Sequence, residues 1–465
     1  MKGFGNIRGF GMVIGMPIKR FLVAAMLLSL AAIAAAQKKV LAPTPPMGWN
    51  SWDSYGLTIT EPQFRANVEV LDQKLKPFGW NYAVVDEGWF MENPQDRPHP
   101  EQLRLDVDRY GRYIPAPGRF PSSAKDEGFK TLSDYVHSLG LKFGIHIVRG
   151  IPRQSVAQNL PIEGSAFKAV DAADQSDACP WDPTNWGVRD NAAGQAWYDS
   201  LMRQYAGWGV DFLKVDCISS HPYKADEIRM IHRAIEKTGR PIVLSLSPGP
   251  TALENAAAVG AMAQMWRISD DFWDYWASPS GKDFPQSMLG QFEKTAAWAK
   301  YAKPGNWPDA DMLPLGHLGP VPGYGEVRAT RLNPEEQRTL VTLWSMARSP
   351  LILGANLTEL DDATLKLLTN RDVIRVDQAS TGSRMVGRDG DVIAWTSDLA
   401  DGSHALALFN VGDAPVTVKK SIASYGLTGR NFSARDVWAG KDMGRIESVS
   451  ATLAPHGCLL LELRR

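Results

Sequence analysis

The 465-residue sequence predicts an α/β protein, a (β/α)8 TIM barrel followed by a C-terminal antiparallel β-sandwich domain. From Pro46 to about Asn356, short apolar runs alternate with longer stretches of helical period, the pattern of βα units on a parallel sheet. Eight such runs can be counted, the number that closes a barrel. Beyond Asp377 the texture changes to short β-prone runs separated by Gly, Asp and Asn, as expected of a small antiparallel unit.

The eight expected strands are residues 47–50, 82–86, 142–147, 211–215, 242–246, 262–267, 307–313 and 350–353. Helical period is read over 61–75, 129–139, 194–208, 225–237, 292–301 and 334–347. A doubly wound open sheet would normally carry a Gly-rich phosphate turn after its first strand, and none stands there. The insertion 90–123, rich in Pro, Arg and Gly, follows the second strand and is expected to lie as a loop over the catalytic face. The expected division is a signal peptide at 1–36, a catalytic barrel at 37–378 and a sandwich domain at 379–465.

At this length one large core and a smaller one are expected. Fifty basic and 51 acidic residues are well mixed, which leaves no broad field to attract nucleic acid or an anionic membrane and points to a neutral substrate. Sixteen tryptophans suit the apolar faces of sugar rings as well as hydrophobic cores. At the N-terminus, Lys19 and Arg20 precede an apolar run and a small-residue stretch ending at Ala36. That is the form of a cleaved export signal, and the run of about 16 residues is short for a membrane span. Three cysteines, Cys179, Cys217 and Cys458, lack the paired spacing of a zinc or iron–sulfur site. After export Cys179 and Cys217 could bridge; spacing alone leaves that open.

In a barrel of this class, the C-terminal strand tips and the loops after them form the active face. Here they are rich in carboxylates: Asp86 and Glu87 after the second strand, Asp216 after the fourth, Asp271 after the sixth, Asp309 and Asp311 near the seventh. Any single one could be a helix cap. Together they fit a polyol site. The two-residue strand period puts Lys214 and Asp216 on one face, where the ammonium keeps a nucleophilic carboxylate ionised. Asp271 offers a second carboxyl group, and two such groups about 5–5.5 Å apart are what retaining glycoside hydrolysis requires. His146 and His317 remain undecided between substrate contact and packing.

Six ordered motifs resemble glycoside hydrolase family 27, the melibiases: Pro46 to Trp52 (PMGWNSW), Val85 to Trp89 (VDEGW), Leu213 to Asp216 (LKVD), Trp266-Arg267 with Asp271, Asp309 to Leu313 (DADML) and Ala347 to Leu351 (ARSPL). The matches run from residue 43 to about 380, and the β domain after them also fits. The resemblance implies Asp216 as nucleophile and Asp271 as acid/base. It implies Trp49 as apolar wall, Asp86 and Glu87 gripping the far hydroxyls, Lys214 and Arg267 holding ring hydroxyls, and Asp311 lining the pocket. It implies no metal and no organic cofactor.

Two departures bear on the sugar. Glu87 replaces the second aspartate usual in the family's α-galactosidases, and its extra methylene would crowd a 6-hydroxymethyl group; members resembling β-L-arabinopyranosidases carry such a glutamate. Ser247 stands where many α-galactosidases place a glutamate near the 2-position, leaving room as in the N-acetylgalactosaminidase relatives. A methylene in a pocket is worth about 1–3 kcal/mol of discrimination, so α-D-galactoside hydrolysis stays the default reading. The expected partner is an oligosaccharide or polysaccharide bearing terminal α-galactose, met in the periplasm or outside the cell. No nucleic acid, and no membrane after signal cleavage, is expected; oligomeric state is not legible. A non-catalytic sugar-binding barrel would have lost a carboxylate, yet both Asp216 and Asp271 are present. A barrel acting on phosphometabolites fits the glycines near 316–325 but not an export signal.

Overall fold

A computed structural model describes residues 1, 3, 5, 6, 9, 40–125, 128–282, 284–319 and 326–465. The apolar run and cleavage stretch expected of the export signal lie outside the described residues, and among those described no helix is long and apolar enough to cross a membrane. Every element named here lies within Leu41–Arg465, a compact unit.

Eight parallel strands form one curled sheet: β1 (Met47–Asn50), β2 (Tyr82–Val85), β3 (Lys142–Val148), β4 (Phe212–Asp216), β5 (Val243–Leu246), β6 (Met265–Arg267), β7 (Trp307–Asp309) and β8 (Leu351–Leu353). They pair in sequence from β1 to β7, with β8 beside β1. Past the end of β7, an isolated parallel bridge joins Leu313 to Leu353 and connects the two edges. The seventh strand is therefore shorter than 307–313. Asp311 turns the chain at φ +84°, and Leu313 resumes the pairing.

Helices follow the strands: α1 (Glu61–Val70), α2 (Lys130–Ser138), α3 (Ala192–Trp208), α4 (Ala225–Thr238), α5 (Ala256–Met262), α6 (Met288–Trp298), α7 (Pro334–Ala347), α8 (Asp362–Leu368) and α9 (Arg371–Ala379). Helix α7 starts as its sequence directs. Asn333 caps the Glu335 and Glu336 N–H groups, Pro334 fills the position that needs no donor, and Glu336 reaches back to the Asn333 N–H. Helix α5 carried no periodic signal, because its small residues (AAAVGAM) run without a break into the apolar start of the sixth strand.

Strand alternation sorts the side chains into two cores. Trp49, Ala83, Val85, Leu213, Val215, Leu246 and Trp266 belong to the large cluster shared with the helices. Tyr82, Val84, Phe212, Val243, Met265 and Trp307 meet Ala42 in a separate cluster inside the barrel. Gly48 belongs to the inward set, where a Cβ would stand 2.4 Å from the Tyr82 carbonyl oxygen. The apolar plug fills the lower barrel, and on β1 to β7 the inward positions that follow it are polar, whereas β8 presents Ile352.

The C-terminal part is a six-stranded antiparallel sheet built from β9 (Ser380–Asp389), β10 (Val392–Leu399), β11 (His404–Asn410), β13 (Phe432–Asp436), β14 (Lys441–Ile446) and β16 (Cys458–Arg464). A ribbon of β12 (Val416–Ser421) and β15 (Ser448–Leu453) accompanies it. One face, with Leu406, Leu408, Leu461 and Leu463, packs with Val418 and Val449 of the ribbon. The other, with Trp395, Ala407, Phe409 and Leu460, is continuous with the barrel's outer core. Phe409 lies 5.2 Å from Phe292 of α6, and Trp438 Nε1 donates to Thr342 of α7.

Cys179 and Cys217 are disulfide-bonded, and Cys458 is free. The bridge ties the long segment after β3 to the tip of β4. Peptide mapping without reduction is expected to recover Cys179 joined to Cys217. Replacing Cys179 by Ser is expected to cost about 3–4 kcal/mol in urea unfolding, the chain-entropy value for a sequence separation of 38. An unchanged unfolding midpoint would argue against a constraining bridge.

Candidate active site

Where the apolar plug ends, the inward positions become charged: Asp86 after β2, His146 on β3, Lys214 and Asp216 on β4, Arg267 on β6 and Asp309 on β7. Above them opens a pocket of about 280 Å³ at the strands' C-terminal ends. Asp86, Glu87, Lys214, Asp216, Ser247, Arg267, Asp271 and Asp311 all line it.

The floor is held by an ion pair. Lys214 Nζ lies 2.9 Å from Asp86 Oδ2, which also accepts from Asn50 Nδ2 at 2.6 Å. Burial by itself would raise the Asp86 pKa, but Lys214 and His146 hold it well below the usual carboxylate range. Burial would lower the Lys214 pKa, yet Asp86 and Asp216 raise it above the ordinary lysine value. Both therefore stay charged.

Asp216 ends β4. Its Oδ1 accepts the N–H of Cys217 at 2.6 Å, and its Oδ2 lies 3.5 Å from His146 Nε2. Burial opposes ionisation, but His146 and Lys214 outweigh it and hold the carboxyl below its ordinary pKa. The result is an ionised carboxylate facing a pocket.

On the opposite side, Arg267 Nη2 lies 2.6 Å from Asp311 Oδ2 and 3.2 Å from Asp271 Oδ1. Burial disfavours the Arg267 charge, but Asp311 and Asp271 sustain it. Asp311 also accepts the Phe272 N–H at 2.8 Å, and burial raises its pKa against the pull of Arg267. The Asp271 side chain is 40% exposed, open to the solvent with which a proton carrier must exchange. Glu87 is fully enclosed; its Oε1 lies 2.9 Å from Arg97, and burial still raises its pKa to about 7. Glu87, His146 and Asp216 each bring a possible ligand atom within 4.8 Å of the others, a spacing open to a cation, although Arg97 already occupies Glu87 Oε1.

Trp49 does not reach the pocket. It has the outward parity of β1, packs 5.6 Å from Phe64 of α1, and donates from Nε1 to the Ala355 carbonyl. Trp52, three residues on, in the short helix Trp52–Tyr55 after β1, lines the pocket together with Phe272 and Trp273. His317 pairs with Glu359 away from the pocket. His146, left undecided from the sequence, lines it. Sequence reasoning also passed over Asp53 and Arg97, although the insertion that carries Arg97 does lie over this face.

Two family models match the chain: that for α-galactosidase A over residues 190–379, and that for the α-galactosidase C-terminal β-sandwich domain over residues 389–463. The structure resembles that of a family 27 β-L-arabinopyranosidase from Geobacillus stearothermophilus, with a TM-score of 0.85 and 45% identity, covering 91% of this chain and 97% of that one. Alpha-galactosidase 2 of Arabidopsis thaliana is 28% identical over 431 residues, 91% of this chain and 90% of that protein. The α-N-acetylgalactosaminidase of Gallus gallus is 27% identical over 446 residues, 90% of this chain and 93% of that protein.

Asp53 is a further acid of the pocket. It is buried, and its Oδ2 has no hydrogen-bond partner among the described residues. Burial first, then the neighbouring Asp311, raises its pKa well above the ordinary value. Such a group costs stability as pH rises from the unfolded-state pKa towards the folded one, because only the unfolded chain releases the proton in that window. Asp53→Asn is therefore expected to raise the melting temperature by roughly a few degrees at pH 7, with a smaller gain near pH 4, in thermal scans at both pH values. A gain independent of pH would contradict this account.

Proposed function

The chain belongs to glycoside hydrolase family 27, and from that premise we propose that it removes terminal pyranosyl residues of galactose configuration with retention at the anomeric carbon. The reading is carried by one observation: Asp216, held ionised, and Asp271, open to solvent, line the same pocket. An Asp216 oxygen attacks the anomeric carbon as the bond to the leaving oxygen breaks, and Asp271 gives that oxygen its proton. Water then returns a proton to Asp271, and its hydroxyl displaces Asp216 from the same carbon.

Galactose and L-arabinopyranose share this ring configuration and differ in the hydroxymethyl group at C5. Two observations support β-L-arabinopyranosides ahead of α-D-galactosides, reversing the order read from the sequence alone. Glu87 intrudes into the pocket and is fixed there by Arg97. Identity to the arabinopyranosidase is 45%, against 28% to the Arabidopsis α-galactosidase. A second reading, 2-acetamido sugars, draws on the small Ser247 in the pocket wall. The disulfide beside Asp216 and the basic-apolar N-terminus support action after export.

Initial rates on the 4-nitrophenyl β-L-arabinopyranoside, α-D-galactoside and α-N-acetylgalactosaminide test the sugar. The first is expected to exceed the second by about 10-fold in kcat/KM. Glu87→Asp is expected to narrow that ratio, and a ratio left unchanged would remove Glu87 from the specificity argument. Asp216→Ala is expected to lower kcat by ~10³-fold or more. NMR of the first-formed product should show the substrate's own anomeric configuration; the inverted anomer would sink the double-displacement reading.

A further inference from the structure

Two large aromatic side chains stand in solvent at the mouth of the pocket, Trp181 at 38% exposure and Phe284 at 54%. Most tryptophans of this chain are interior, and among those described Trp181 is the exposed one. A single exposed aromatic needs no explanation, but two at one pocket rim, with one braced in place, are a different matter.

The bracing of Trp181 is unusually complete. Two residues before it, Cys179 is bonded to Cys217, the neighbour of Asp216. Its own carbonyl accepts from Arg97 Nη2 at 3.1 Å, and the same guanidinium lies 3.7 Å from Asp182 and 2.9 Å from Glu87. Asp182 in turn accepts the Thr184 N–H at 2.6 Å. The backbone that carries this indole is thus fixed to the wall that carries the nucleophile. A platform held in place before binding loses little freedom when a ligand settles on it.

Position decides which ligand. The sugar that is cleaved must lie inside, against Asp216. The oxygen that leaves must lie by Asp271 at the mouth, and whatever is attached to it extends outward past Trp181 and Phe284. We infer that these two side chains form a leaving-group site that takes a pyranose ring or an aryl group by stacking, so that the enzyme favours glycosides attached to another sugar over glycosides of small leaving groups. This rests on the proposed retaining hydrolysis.

The test compares two substrates with the same cleaved sugar, the glycosyl fluoride and a disaccharide, in wild type, Trp181→Ala, Trp181→Phe and Phe284→Ala. The fluoride places a single atom at the mouth and cannot use the site. In Trp181→Ala the ratio of kcat/KM for disaccharide over fluoride is expected to fall by about 10-fold. Trp181→Phe should keep most of it, and Phe284→Ala should lower it several-fold. A ratio unchanged in Trp181→Ala, with a wild-type melting temperature, would overturn the site. So would parallel losses on both substrates, which would mark Trp181 as structural. Wild-type enzyme inactive on both substrates would instead overturn the hydrolytic reading, and the leaving-group site with it.

Discussion

The constraint on which this structure turns is the two-residue period of eight parallel strands closed around a narrow interior. Every second side chain on each strand must enter the same small space. Low in the barrel those positions are apolar and interlock around Tyr82, Phe212 and Trp307. At the upper end they are ionic, and there is little room to separate like charges. The pocket collects Asp53, Asp86, Glu87, Asp216, Asp271 and Asp311 against Lys214, Arg267, Arg97 and His146.

That imbalance sets the electrostatics. The cations do not neutralise every carboxyl group, and the acids divide by whether burial or the opposing charges weigh more. Asp86 and Asp216, beside Lys214 and His146, fall below their ordinary pKa and stay charged. Asp53 and Glu87 rise with burial. The division is chemical as well as structural, because a nucleophile must be ionised while groups that only hold hydroxyls can carry a proton and donate it. Asp271 stands apart at the mouth, where its side chain is 40% exposed to solvent.

Three separate segments then converge on that floor. The insertion after β2 supplies Arg97, the segment after β3 supplies Trp181 and Asp182, and the disulfide joins the latter to β4 beside Asp216. Arg97 sits at the junction. It touches Glu87, on which the proposed choice of sugar depends, and it holds the loop on which the leaving group is proposed to rest. The residue proposed to choose the sugar and the loop proposed to hold the leaving group thus share one guanidinium.

Sequence by itself determined the barrel, the sandwich and most of the pocket's chemistry, because strand period, helix period and residue type are local properties. The pairing of Lys214 with Asp216 on one face needed only the β period, and the carboxylates at the strand tips were visible as residue types. Tertiary structure alone decided what depends on register and on chain segments far apart. Trp49 and Trp52 belong to one motif, and only the parity of β1 within the closed sheet sends the first to the outer core and leaves the second at the pocket. Arg97 met Glu87, and Cys179 met Cys217, through loops whose paths no local period encodes. Nothing local marked Asp53, whose carboxyl oxygen folding buries without a hydrogen-bond partner among the described residues. Parity relative to a shared interior, and burial, exist only once the sheet has closed.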